Sequence, residues 1–186
     1  MKIESLGISG AWIATNVGHK DERGSFGEWF RSDVIEQQLG INFEVKQANT
    51  STSKKNVIRG LHYSLAAIGQ SKWVSCASGT IWDVVVDIRP ESPTFKKWVG
   101  TELKGSDSKA VFISEGLGHG FMSLENNSVI TYLLNSVYSP SEEYSINPMD
   151  TDLAINWPDG NPIISERDLS APLLRTQLES GKLWKN

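Results

Sequence analysis

The sequence predicts a single-domain, mainly β protein of the sandwich or barrel class. Short runs of apolar and β-branched residues recur along the chain, and glycines and prolines separate them at intervals of about 8–12 residues. Only two segments keep the helical period of about 3.6 residues. The chain has 186 residues, of which 39% are hydrophobic, and this suffices for one domain with a core of its own.

Five strands are predicted from composition and from the turn residues that bound them. The clearest is Ile81–Arg89, which holds three consecutive valines between Gly79 and Pro90 and has the pattern of a buried strand. Four shorter runs have the same character: Lys72–Ala77, Ala110–Ser114, Phe121–Leu124 and Ser128–Leu134.

Two helices are predicted at the periphery. The first covers Asp33–Leu39, with Ser32 as the expected N-cap. The second covers Asp168–Leu183, with Ser165 as N-cap and a carboxylate three residues on, which is the capping-box pattern. We expect Pro172 to delay this helix, because proline is tolerated only in a first turn.

Composition and charge exclude several classes of protein. The chain carries 18 basic and 22 acidic residues, a net charge of −4, so no nucleic-acid partner is expected. No apolar run approaches about 18 residues, which argues against a membrane span. Glu4 precedes any apolar run, so we expect no secretory signal. The single cysteine, Cys76, cannot form an intramolecular disulfide and fits a reducing compartment, so a cytoplasmic location is expected.

Three segments place polar residues where a β core would otherwise be apolar: Arg59–Tyr63, Gln70–Val74 and Glu115–Phe121. We expect the first two to form a hairpin centred near Ala67. In that register His62 lies opposite Lys72 and shares its face. A base beside a cation suits chemistry in which negative charge develops on an oxygen.

Each of these residues also has a structural explanation. The alternatives are a hydrogen-bonded strand residue for His62, a solvated charge for Lys72, a loop residue for His119 and core packing for Tyr132. We expect Asp83 and Asp87 to be structural, bonding strand ends or pairing with Arg89. Cys76 has no nearby histidine in sequence, so a buried, inert thiol is expected.

Metal and phosphate-loop chemistry are both disfavoured. The H-x-H spacing that puts two ligands on one face of a strand is absent, since Tyr63 and Ser64 follow His62. Residues Glu115–Gly120 are rich in glycine but lack the Lys-Ser/Thr pair of a P-loop. We therefore expect no metal.

Seven motifs stand in order over nearly the whole chain. They are Asp21–Glu28 (D-x-R-G-x-F-x-E), Gln47–Ser51 (Q-x-N-x-S), Arg59–Tyr63 (R-G-L-H-Y), Asp83–Arg89 with Ser92–Phe95 (D-V-x-V-D-x-R and S-P-T-F), His119–Phe121 (H-G-F), the set Tyr132, Tyr138 and Glu143, and Ile164–Asp168 (ending S-x-[KR]-D). In this order and at these separations they resemble the dTDP-4-dehydrorhamnose 3,5-epimerase family.

The resemblance implies an all-β fold, a cupin double-stranded β-helix or jelly roll with short peripheral helices. It implies an enzyme that epimerises dTDP-4-dehydro-6-deoxy-D-glucose at C3 and C5 in dTDP-rhamnose synthesis. The partner would be a dTDP-4-keto-6-deoxy sugar in the barrel mouth, with no metal and no cofactor. A homodimer with exchange of N-terminal strands is also implied.

The resemblance further implies a role for each motif residue. His62 would be the base, oriented by Asp168, with Lys72 near the C4 ketone and Tyr132 as the acid on the opposite face. Residues that would bind sugar, diphosphate and nucleobase are Gln47, Asn49, Arg59, His119, Tyr138 and Glu143. Residues that would reach the site from the partner chain are Arg23, Phe26 and Glu28.

The sequence departs from the family pattern at two places. Ser64 stands where the family often has glutamine, and Lys96 follows S-P-T-F where glycine is usual. Neither touches the implied dyad, but both leave the substrate open. A single-site epimerase acting at C3 or C5 of a related dTDP-sugar is the first alternative. A non-catalytic sugar-nucleotide-binding cupin is the second, and a metal-dependent cupin enzyme is a third.

Overall fold

The computed structural model describes residues 1–184, and its secondary structure is mostly β. The strands in chain order are β1 (Lys2–Ser5), β2 (Ala11–Thr15), β3 (His19–Asp21), β4 (Gly24–Phe26), β5 (Gln47–Ser53), β6 (Val57–Ser64), β7 (Lys72–Ser78), β8 (Thr80–Asp87), β9 (Trp98–Lys104), β10 (Lys109–Ile113), β11 (Leu117–Ser123), β12 (Ser128–Leu134), β13 (Glu143–Ser145) and β14 (Ile163–Ile164). The helices are α1 (Ser32–Leu39), α2 (Glu166–Leu169) and α3 (Leu174–Glu179).

Two six-stranded sheets form the body of the fold. One has the strand order β1-β2-β10-β7-β12-β5, and the other has the order β13-β6-β11-β8-β9 with β14 beside β6. Apart from β14, which runs parallel to β6, the neighbouring strands are antiparallel. Strands β3 and β4 form a separate hairpin. The architecture is the predicted all-β jelly roll of the cupin type.

The period-two alternation of the strands sorts their side chains between three clusters. Val74 of one sheet and Val85 of the other meet in the cluster between the sheets. The adjacent residue of each strand points the other way. Trp73 packs with α1 on the outside of the first sheet, and Val86 packs with the C-terminal segment on the outside of the second. Both sheets are therefore covered on their outer faces, and the space between them is free to hold a site at its open end.

The predicted hairpin is wrong, because β6 and β7 lie in different sheets. β6 pairs with β11 and β13, whereas β7 pairs with β10 and β12. Residues 65–71 cross from one sheet to the other, a step of about 10 Å that a connection of this length spans easily. His62 is opposite His119 rather than Lys72.

Strand β11 starts earlier than predicted, at Leu117, and takes in the glycine-rich motif. Gly120 lets β11 lie close to β6: a Cβ built on Gly60 would lie 2.6 Å from the Gly120 Cα. Gly118 and Gly120 are therefore strand residues, and Gly120 permits a close backbone approach. The other four predicted strands agree with the structure within two residues at each end.

Helix α1 is confirmed, but Ser32 is its first residue and the N-cap is Arg31, which makes no side-chain cap hydrogen bond. The prediction of one long C-terminal helix is wrong. This segment forms two short helices, α2 and α3, on either side of Pro172, because proline lacks an N–H and disfavours helical backbone in the residue before it. Ser165 is the N-cap of α2, as predicted, and its Oγ accepts a hydrogen bond from the Asp168 N–H. No helix of residues 1–184 is long and apolar enough to cross a membrane.

Candidate active site

A cleft of about 130 Å³ lies between the two sheets and takes side chains from both. Seven of the residues implied by the motifs line it: Gln47, Asn49, His62, Lys72, Tyr132, Tyr138 and Glu143. Four more residues line it: Gln70, Leu134, Tyr144 and Arg167. The cleft is therefore built from strands far apart in the chain and from helix α2.

His62 forms a tight pair with Asp168. Its Nε2 lies 2.8 Å from Asp168 Oδ1, and the carboxylate is 6% exposed while the imidazole is 37% exposed. Asp168 Oδ2 also accepts a hydrogen bond from the Gly60 N–H at 3.3 Å. Burial raises the pKa of Asp168, but the hydrogen bonds from His62 and Gly60 more than offset it, so this pKa lies below its ordinary value.

An ionised Asp168 sets the tautomer of the imidazole. A carboxylate can only accept hydrogen bonds, so His62 Nε2 must carry the proton that points at it. The other ring nitrogen, Nδ1, is then the one with a free lone pair. The pair thus presents an oriented imidazole to the cleft.

Lys72 reaches the same place from the facing sheet. Its side chain is buried, and Nζ donates to the His62 carbonyl oxygen at 3.3 Å. Burial lowers the pKa of the ammonium below its ordinary value, and the negative charges of Glu143 and Asp83 oppose that change in part. The predicted meeting of His62 and Lys72 is confirmed, although it comes from two sheets rather than one hairpin.

Tyr132 stands on β12, in the sheet that faces His62. Its neighbour in register on β5 is Asn49, whose Oδ1 accepts a hydrogen bond from Gln47 Nε2 at 3.0 Å. Gln47 Oε1 in turn accepts from the Tyr138 N–H at 2.7 Å. This chain of hydrogen bonds holds the polar wall opposite the His62–Asp168 pair.

Six of the residues to which the resemblance assigns a role do not line the cleft of the single chain. Asp168 lies behind His62. Arg59 donates to Ser53 Oγ and Thr52 O on β5. His119 is buried, with Nε2 2.7 Å from Asp83 Oδ1. The remaining three, on or next to the β3–β4 hairpin, are Arg23, Phe26 and Glu28.

Asp83, expected to pair with Arg89 or bond strand ends, instead binds His119. Asp87 does pair with Arg89, as predicted, at 2.8 Å. Cys76 is buried, and burial raises its pKa to about 11, which fits an inert thiol. Within residues 1–184, no three His, Cys, Asp or Glu side chains cluster in a way that could hold a metal ion.

Two cleft residues that were not predicted could have been found from the sequence. Gln70 stands two residues before Lys72 in a segment already noted for its polar residues, and its Nε2 donates to Glu143 Oε1 at 3.0 Å. Arg167 lies inside the last motif, next to Asp168. In helix α2, Arg167 lines the cleft while Asp168 binds His62.

Together, the jelly roll and a cleft equipped for proton transfer define a cupin-fold isomerase. The sequence match to a family, over nearly the whole chain, is more specific than the fold and the cleft. The protein belongs to the dTDP-4-dehydrorhamnose 3,5-epimerase family, whose sequence profile matches residues 5–176.

Relatives of both specificities are similar to this chain. A dTDP-4-dehydrorhamnose 3,5-epimerase of Mycobacterium tuberculosis is 41% identical over 186 residues, covering 98% of this chain and 92% of the relative. A 3′-monoepimerase from Streptomyces bikiniensis, solved with dTDP-quinovose, has a TM-score of 0.92 at 42% identity, covering 95% of this chain and 90% of that one. A dTDP-6-deoxy-D-glucose-3,5-epimerase from Legionella pneumophila, solved with dTDP-4-keto-L-rhamnose, has a TM-score of 0.93 at 38% identity, covering 100% and 98%.

Proposed function

We propose that the protein epimerises dTDP-4-dehydro-6-deoxy-D-glucose at C3 and C5 to dTDP-4-dehydro-L-rhamnose, in dTDP-rhamnose synthesis. The observation that carries this proposal is the convergence of His62, Lys72 and Tyr132 on one cleft from facing sheets. Epimerisation beside a ketone requires a base on one face of the sugar, a proton donor on the other and a positive group at the ketone oxygen. The cleft supplies one residue for each task.

The reaction follows from the positions of these groups. His62 Nδ1 takes the proton from the carbon next to the C4 ketone, and the electron pair moves onto the C4 oxygen. The Lys72 ammonium stabilises that charge, which for a preorganised donor amounts to about 3–4 kcal/mol. Tyr132 then delivers a proton to the opposite face as the ketone re-forms. Asp168 holds the imidazole and stabilises its protonated form.

The rest of the substrate needs groups for a diphosphate and a nucleobase. Arg167 lines the cleft, and Arg59 lies on β6, the strand that carries His62. Guanidinium groups suit forked contacts with phosphate oxygens. Tyr138 is 53% exposed and offers its ring for stacking on the base. His119 would contact the sugar from the floor of the barrel.

We extend the proposal to a cytoplasmic homodimer of single-domain chains that exchange N-terminal strands. Its support is the exposure of the β3–β4 hairpin. Phe26 is 71% exposed, which is unusual for a large aromatic residue, and the Arg23 side chain is 90% exposed. In such a dimer Arg23, Phe26 and Glu28 would reach the partner's cleft.

Incubation with dTDP-4-dehydro-6-deoxyglucose in deuterated water tests the function. We expect deuterium at both C3 and C5, read by NMR of the sugar. Label at C3 alone would replace the proposal by the second candidate, a single-site epimerase, which the similarity to the Streptomyces 3′-monoepimerase favours. Binding without any exchange would instead indicate a non-catalytic cupin.

Changing Tyr132 to phenylalanine should separate proton removal from proton return. His62 remains, so loss of the C–H proton to solvent should continue, while formation of the inverted product should fall by about 10²-fold or more. The measurement compares deuterium in recovered substrate with deuterium in product. Tyr63→Phe is the matched control: Tyr63 is buried on the outer face of the sheet and its OH donates to the Lys182 carbonyl, so this ratio should not change. An equal loss of both processes in Tyr132→Phe would contradict the assigned role.

A further inference from the structure

One carboxylate inside the barrel lacks a full set of partners. Asp83 on β8 is 1% exposed, and its Oδ1 binds His119 Nε2 at 2.7 Å. Its Oδ2 is buried and has no hydrogen-bond partner within residues 1–184. Burying a carboxylate oxygen without a donor costs several kcal/mol in an apolar setting, so a structural role alone does not account for Asp83.

The neighbouring carboxylate on the same face shows what a structural aspartate has in this barrel. Asp87, four residues along β8, is bound by Arg89, Ser92 and Thr94 through both of its oxygens. These bonds fasten the end of β8 to the chain that follows it. Among residues 1–184, the Asp83 side chain has one hydrogen bond, to a histidine of the adjacent strand, and one carboxylate oxygen without a partner.

The buried cation that shares the interior with Asp83 is Lys72. Lys72 is 7% exposed, and the only hydrogen bond of its side chain within the described chain is the donation to the His62 carbonyl. A buried ammonium loses its hydration, and two carboxylates, those of Glu143 and Asp83, favour its charged form. Glu143 is only half-buried and accepts a hydrogen bond from Gln70 through Oε1, so Asp83 is the fully buried carboxylate of the two.

We propose that Asp83 is a positioning residue for the reaction, which keeps Lys72 charged and holds His119 by a hydrogen bond. The inference rests on the proposed role of Lys72 at the C4 oxygen. A lysine stabilises an enolate only as an ammonium, so a counter-charge buried with it maintains the form that catalysis needs. His62 and His119, paired in register across β6 and β11, thus each bind one carboxylate: Asp168 serves the base and Asp83 serves the cation.

The surroundings of Lys72 define a clean substitution. The titratable and charged groups around it are Glu143 of β13, Asp83 of β8, His62 of β6, His119 of β11, Tyr132 of β12 and Arg167 of α2. Glu115, in the turn after β10, accepts a hydrogen bond from Ser71 beside Lys72. Asp83→Asn keeps the shape of the side chain and an oxygen for His119, and it changes only one charge in this set.

The first test follows the pKa of Lys72 by NMR of ¹³Cε-labelled lysine, with Lys72→Gln identifying its signal. Asp83→Asn should lower this pKa further, because the negative charge that favours the ammonium is gone. Asp87→Asn should leave it unchanged and lower only the melting temperature. An unaltered Lys72 pKa in Asp83→Asn would overturn the proposal, and this measurement needs no substrate.

The second test measures deuterium exchange from about pH 6 to about pH 10. Turnover in Asp83→Asn should fall by about tenfold or more at neutral pH, and the high-pH limb should move to lower pH, since Lys72 loses its proton earlier. In a Lys72→Gln background, Asp83→Asn should add little further loss. An equal added loss there, or a wild-type pH profile, would overturn the role through Lys72. Absence of exchange in the wild-type protein would refute the proposed function, while the NMR result would still decide the role of Asp83.

Discussion

Replacing Asp168 by asparagine is expected to reduce epimerisation by about 10²–10⁴-fold while leaving the fold intact. The change is nearly isosteric, so the packing of α2 against β6 should survive. The loss comes from the charge and from the hydrogen-bond pattern, because an amide cannot stabilise an imidazolium as a carboxylate does.

The direction in which the new amide points can be deduced. Gly60 N–H donates to Asp168 Oδ2, so the oxygen of the asparagine should stay on that side. Its NH₂ then faces His62 Nε2 and donates to it, which requires Nε2 to be the unprotonated nitrogen. The proton is forced onto Nδ1, and the lone pair that should receive the substrate proton is lost.

The control is Ser165→Ala. Ser165 Oγ accepts the hydrogen bond from the Asp168 N–H as the N-cap of α2, so its loss should cost about 0.5–2 kcal/mol of stability with little effect on turnover. Thermal unfolding and deuterium exchange on the two variants separate the two roles. If Asp168→Asn were to unfold at lower temperature yet exchange at nearly the wild-type rate, Asp168 would be a capping residue and the dyad assignment would be wrong.

Local sequence patterns placed four of the five predicted strands within two residues at each end, but they did not give the pairing. Ser128–Leu134 was placed correctly from its apolar run and its flanking turns. The partners of β6 and β7 were not, because pairing in a jelly roll joins segments far apart in the chain, and a short loop can cross between sheets as readily as it can close a hairpin. Lys72 reaches His62 because both point into the same interior.

The candidate site was likewise predicted from the sequence only in part. The family resemblance identified seven residues that line the cleft, since family spacing carries information on which side chains converge. Asp83 was expected to be structural because a carboxylate in a valine run has no sequence feature that distinguishes a strand-end bond from a charge in the barrel. The role that the resemblance implies for Arg23, Phe26 and Glu28 is in the cleft of a partner chain, and within one chain these residues lie on or next to the β3–β4 hairpin.

Replacing Gly60 by alanine is expected to lower the free energy of unfolding by about 2–4 kcal/mol. Gly60 has a φ of +114°, a conformation that residues with a Cβ rarely adopt, and its Cβ would lie 2.6 Å from both Gly120 Cα and His119 O. Those atoms are backbone, so they cannot turn aside as a flexible side chain would. β6 and β11 would have to separate at the point where they bring His62 and His119 into register.

A second glycine separates backbone strain from the close approach of the strands. Gly7 also has a positive φ, +83°, but a Cβ there would meet nothing within 4 Å. Gly7→Ala should therefore cost only the conformational part, about 1 kcal/mol, and leave deuterium exchange unchanged. Gly60→Ala should lose stability by more than that and also lose turnover, because the Gly60 N–H supports Asp168 and the strand carries His62. Equal melting temperatures for the two variants would mean that β6 and β11 can separate freely, and that their close contact does not hold the His62–Asp168 pair in place.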